Sequence, residues 1–111
     1  MIIKDWNIEG MTGYKPITTF YQDFSIADKF GIDAIKDTYN RAFNEWKNDY
    51  KYLTELSMAL NWKIAEHYKD NGTEQDNKIA LLYNDLWRQT DNYALDNLKG
   101  EQRDYYIQTT D

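Results

Sequence analysis

Apolar side chains return every seven residues through the middle of this chain. Ile32, Tyr39, Trp46, Leu53 and Leu60 hold one position of the repeat. Phe43, Tyr50 and Ile64 stand four residues after members of that set, and Ile35, Ala42 and Leu56 three after. Such spacing places them on one broad stripe of a helix. Neither Gly nor Pro interrupts 33–70, and the stripe passes through Asn48-Asp49. The pattern therefore predicts one long helix, bent at that pair if anywhere. At about 1.5 Å per residue it would run roughly 55 Å, and its stripe needs a partner alongside.

Punctuation marks the other elements. Ser25 and Asp28 form a weak relative of a capping box, predicting a short helix ended by Gly31 in a left-handed conformation. Asp33 is placed to cap the next helix, with Ile32 as a staple. Asp70-Asn71-Gly72 reads as a stop, and Thr73 with Asp76 as a restart. The following helix is expected over 74–99, with Ile79, Leu82, Tyr83, Leu86, Tyr93 and Ala94 inward and Gly100 at its end. Leu81, Trp87 and Leu95 fall off that face. A short helical turn over 101–107 closes the chain, before residues 109–111 fray.

The fold class expected is all-α: an antiparallel helical hairpin of two long helices with short N- and C-terminal helices packed on it. Residues 1–17, with Gly10, Gly13 and the only proline, Pro16, read as a loosely ordered arm carrying one short extended piece at Ile2-Ile3. Residues 18–111 read as a single helical domain, and Met11 is an alternative start.

Composition narrows the functions. Four Trp, ten Tyr and four Phe among 111 residues serve a thin helical core or an aromatic interface. Without cysteine there are no disulfides, thiolate zinc sites or cysteine nucleophiles. No apolar run approaches a membrane span, and charge enters too early for a signal peptide. A soluble, cytoplasmic protein is expected. The net charge of -6 disfavours nucleic acid and anionic membranes and favours a basic partner surface.

Candidate chemistry is sparse. His67, the only histidine, has Glu66, Asp70 and Glu74 near it in sequence, yet lacks a second histidine at helical spacing. It reads as packing at a helix end. The acid pairs Glu45/Asp49 and Asp33/Asp37 lie among Lys36, Arg41, Lys47 and Lys51, as on a salt-bridged solvated face. No phosphate-cradling glycine loop or nucleophile elbow occurs. The segment 45–53 interleaves Trp46, Tyr50 and Tyr52 with lysines, a pattern able to stack on single-stranded nucleic acid, with Tyr52 pointing off the stripe. No catalytic residue, metal site or cofactor is expected.

The stretches TTFYQDFSIADKFG, IKDTYNRAF, EWKNDYKYLTEL, LNWKI, HY, LYNDLW, NLKG and TTD, in this order from Thr18 onward, carry a resemblance. The chain resembles a family of small uncharacterised proteins encoded by phage-like and conjugative mobile elements of gut Firmicutes. It departs at Tyr21, where the family often shows Trp, in the arm before Thr18, and in a longer polar stretch over 70–78. The resemblance implies no activity and no functional residue. It implies a context, an accessory gene of a mobile element, and such elements commonly encode small acidic inhibitors of host defence, of anti-CRISPR or antirestriction type.

Together these readings predict a non-enzymatic protein-binding module that acts on a host or element-encoded protein. Asp85, Trp87, Asp91, Leu95 and Asp96 are the expected partner-binding residues, an apolar anchor ringed by acids. The alternatives are a structural or regulatory helical homodimer, or a single-stranded nucleic-acid binder.

Overall fold

In the computed structural model, residues 17–68 and 72–110 are described. Residues 1–16 of the arm expected over 1–17, and the stop signal at Asp70-Asn71, lie outside them; Ile17, read as the end of that arm, already begins a helix. Five helices, and no strand, occupy the described residues: α1 Ile17–Asp28, α2 Ile32–Trp46, α3 Tyr50–His67, α4 Glu74–Asn97 and α5 Gly100–Thr110. The chain is all-α. None of these helices is long and apolar enough to cross a membrane.

The long first helix expected from the repeat is split. Helix α2 stops at Trp46, and α3 begins at Tyr50 behind Asp49. The Asp49 carboxylate accepts from the backbone N–H groups of Lys51 (3.0 Å) and Tyr52 (3.3 Å). Those are donors that a first helical turn leaves unsatisfied. The break folds α2 back toward the same core, and the described residues span only 40 Å in their longest dimension.

Helix α3 touches all four other helices. Burial on several sides explains its composition. Leu53, Leu56, Ala59 and Leu60 are enclosed, and so are the polar Thr54, Glu55, Ser57 and Lys63. Thr54 satisfies its hydroxyl by donating to the Tyr50 carbonyl at 2.7 Å. Tyr52, expected off the stripe, is buried against Trp46 with ring centroids 4.2 Å apart.

Boundaries differ from the sequence reading where backbone geometry overrides side-chain signals. Ser25 lies inside α1 and does not start it. The α2 N-cap is Gly31, at φ 109° and ψ -176°, a region essentially reserved for glycine. Asp33 makes no capping bond and sits in the first turn, where its charge complements the helix dipole. At α4 the capping box forms as read: Asp76 N–H donates to Thr73 Oγ1 (3.1 Å), and Thr73 N–H to Asp76 Oδ2 (3.2 Å). Helix α4 ends at Asn97, and α5 extends through the threonines expected to fray. Thr110 there donates to the Tyr106 carbonyl at 2.7 Å.

Candidate functional site

The most concentrated polar chemistry lies where α1 crosses the C-terminal half of α3. Lys63 faces inward and is wholly buried. Its Nζ lies 2.7 Å from Asp28 Oδ2 and 3.0 Å from Glu66 Oε2, and donates to Ser25 Oγ at 3.0 Å. It also stands 4.8 Å from the centre of the Tyr21 ring, a cation–π distance. Asp28 receives the Tyr83 hydroxyl on its other oxygen, and His67 Nε2 lies 2.9 Å from Oδ2. The Tyr21 hydroxyl donates to Glu66. The imidazole of His67 stacks on Tyr83, at 5.6 Å and 18°.

The electrostatics follow from these contacts. Partial desolvation pushes the Glu66 carboxyl up. The Tyr21 and Lys63 hydrogen bonds and the Lys63 charge outweigh it, holding Glu66 below the usual carboxylate range. Burial, then the hydrogen bond to Asp28, pushes the Tyr83 phenol well above its ordinary value. Hydrogen bonding to Glu66 does the same to Tyr21.

Asp28, Glu66 and His67 bring ligand-type atoms within 4.8 Å of one another, as at a cation site. The Lys63 ammonium already lies within hydrogen-bond distance of both carboxylates, so a cation already offsets one of their two charges. The cluster is a clamp joining α1 to α3 and α4. Of the acids near His67 in sequence, Glu66 is at 3.8 Å. Glu74 is exposed at the start of α4, and Asp70 lies outside the described residues. Asp28, the partner that matters, is 39 positions away in the chain.

Other expected chemistry is absorbed structurally. Asp37 pairs with Arg41 at 3.1 Å on the open face of α2, and Asp49 is a cap. Trp46 and Tyr52 are buried and Tyr50 half-buried, so the aromatics of 45–53 turn inward and offer no stacking platform.

The five expected partner-binding residues divide between two sides of α4. Asp85 and Asp96 are exposed. Eleven positions apart, they share one stripe at 3.6 residues per turn. Trp87, Asp91 and Leu95 follow one another at four-residue steps on the opposite side, and all three are half-buried. Trp87 packs on the main core, with its indole Nε1 enclosed. Leu95 packs on the smaller cluster of Leu53, Ala94, Leu98 and Tyr106. Asp91 accepts from the Tyr106 hydroxyl at 2.8 Å. The anchor expected at Trp87 and Leu95 is thus turned toward the interior, away from Asp85 and Asp96.

Large apolar side chains are exposed elsewhere. Tyr68 is 68% exposed and Leu81 65%. With Ile64, Ala80, Asn77 and Asn84 they line a groove of about 370 Å³ between the end of α3 and the first half of α4. Leu81 is read from the sequence as off the inner face, to meet the first short helix or another protein, but is not among the five expected partner-binding residues. Its apolarity on the polar stripe of Asn77, Lys78 and Asp85 was the available signal. Ile26 and Phe30 stand out at the α1–α2 corner, and Trp62 lies edge-on to Tyr21 at 5.8 Å.

No protein-family model matches this chain, and neither a curated protein nor a solved structure matches it, so its site is defined by its own residues.

Proposed function

We propose that this chain is a non-enzymatic protein-binding module, docking through the exposed groove between α3 and α4. The observation that carries the reading is the exposure of Tyr68 and Leu81 on either side of an apolar depression. Contiguous exposed apolar surface, unlike scattered single residues, marks interaction sites. The non-enzymatic part is supported by the Lys63 clamp: Lys63 itself is fully enclosed, and its neighbours bond to one another. In its sharper form, the protein serves a mobile element as an acidic inhibitor of a host defence complex, a context drawn from the family resemblance and the net charge of -6.

Capture from host extract on immobilised protein, followed by titration with the purified captured protein, tests this. A defined stoichiometric complex is expected, weakened about tenfold or more by Leu81→Ser with Tyr68→Ala, as for truncated anchors. Inhibition would show as loss of the partner's nuclease activity on titration. Equal binding of the double variant, or no binding by any purified protein, would overturn the reading.

A further inference from the structure

We infer that the groove receives an amphipathic helix of a partner protein, with an aliphatic anchor on one face and Lys or Arg beside it. This rests on the protein-binding reading and specifies the partner's chemistry. Three features of the groove lead there.

The lining is apolar except for two amides and the Tyr68 hydroxyl. Ile64, Tyr68, Ala80 and Leu81 form the walls, and Asn77 and Asn84 sit at the side. An occupant must therefore arrive with its backbone polar groups already satisfied. A helix does so. An extended segment would need a row of backbone partners, which helical walls, bonded internally along their length except over the last turn of α3, do not offer.

The groove is also small. About 370 Å³ is near the lower end of the range for binding pockets. It accommodates one or two side chains of a docking element, the spacing of successive turns on a helix face.

Charge selects among helices. On the exposed stripe of α4 through Leu81, Glu74 lies seven positions before and Asp85 four after, with Lys78 three before. Along α4 as a whole five acids, Glu74, Asp76, Asp85, Asp91 and Asp96, oppose Lys78 and Arg88. A second copy of this chain would bring another net charge of -6 to the contact and be repelled. A basic helix would be steered in, and its cations would lie beside Glu74 and Asp85 at the rim.

Fluorescence anisotropy with three labelled helical peptides tests this: a Leu/Lys amphipathic helix, the same helix with Ser for Leu, and the same with Glu for Lys. The Leu/Lys peptide should bind, and about 0.5 M salt should weaken it by screening. Leu81→Ser, a neutral change at an exposed site, should reduce its affinity about tenfold. Glu74→Gln with Asp85→Asn should reduce it severalfold without altering the melting temperature. Equal binding of the Ser/Lys peptide would reduce the contact to bulk charge, and equal binding of the Leu/Glu peptide would remove charge selection. Either overturns the inference. So does sedimentation showing that the wild type self-associates and the Leu81→Ser variant does not. If no peptide binds while a purified partner binds through Leu81 and Tyr68, the helix chemistry is wrong and the protein-binding reading stands. If the partner fails as well, both fall.

Discussion

Lys63 Nζ lies 2.7 Å from Asp28 Oδ2, with the lysine side chain fully enclosed and the aspartate 15% exposed. A buried ammonium is tolerated only when its charge is matched and its protons are bonded. Here Asp28, Glu66 and Ser25 supply both conditions. Lys63→Met should cost about 3–5 kcal/mol, the usual loss when one member of a buried ion pair is removed. The variant leaves two neighbouring carboxylates without their cation. Adding Asp28→Asn to it should recover part of the loss, so the two changes will be non-additive in urea unfolding. Additive losses would mean that the pair is not coupled.

The same cluster sets the acid limb of stability. Glu66 is held below its ordinary carboxylate range in the fold. Its contribution is therefore present above the unfolded value, about 4.3, and is lost as pH falls through the folded one. Glu66→Gln should flatten the decline between pH 5 and pH 3, read as urea midpoints across that window.

At high pH the sign reverses. Tyr83 and Tyr106 are raised mainly by burial; the hydrogen bond to Asp28 adds to this for Tyr83, while for Tyr106 the Ser57 bond opposes it and the Asp91 bond adds to it. Their contribution is complete below about pH 10, where unfolded phenols begin to ionise, and disappears as pH rises further. Absorbance at a tyrosinate wavelength should show a set of buried phenols, Tyr83 and Tyr106 among them with Tyr39, that ionise only together with loss of helical circular dichroism. Tyr83→Phe should remove one of them.

Gly31 offers a test of backbone strain alone. At φ 109° a Cβ would meet nothing within 4 Å, so substitution has no packing cost. Gly31→Ala should still cost about 1–3 kcal/mol, the range for a side chain forced into such a conformation. Gly100, at φ 56° and equally open, lies in the left-handed helical region that Asn tolerates. Gly100→Asn should therefore be milder than Gly31→Asn in thermal unfolding.

Much of the fold was legible because the repeat reports burial directly. Tyr39, Trp46, Leu53, Leu60, Ile79, Tyr83 and Leu86 are buried as the stripes imply. Phe43 and Ile64 are partly so. The break at Asn48 was hidden because α2 and α3 both present the repeat to shared core, so the period continues across it. Only Asp49, a favoured cap residue, betrayed it. The clamp was hidden for a different reason. His67 drew attention to its sequence neighbours, whereas Asp28 and Tyr83 reach it from other helices. Yet Lys63 falls seven residues after Leu56, on the inner position also held by Ile35 and Ala42. A lysine in an apolar register was a sign that a buried carboxylate must exist somewhere.

The break itself makes the last prediction. Trp46 is the final residue of α2, 8% exposed, and its ring lies against Tyr52 in the first turn of α3. The Asp49 cap stands between them and fixes the angle at which the two helices leave the turn. Trp46→Ala should cost about 3–5 kcal/mol, as for other buried aromatics. Asp49→Ala should cost about 1 kcal/mol, the value of a lost N-cap, and Asp49→Ser should restore most of it. If the cap and the ring contact hold one corner together, the double variant will lose less than the two single losses combined, because either change already loosens the turn. Should Trp46→Ala cost below about 1 kcal/mol, the ring would not be part of the core, and the corner between α2 and α3 would rest on the cap alone.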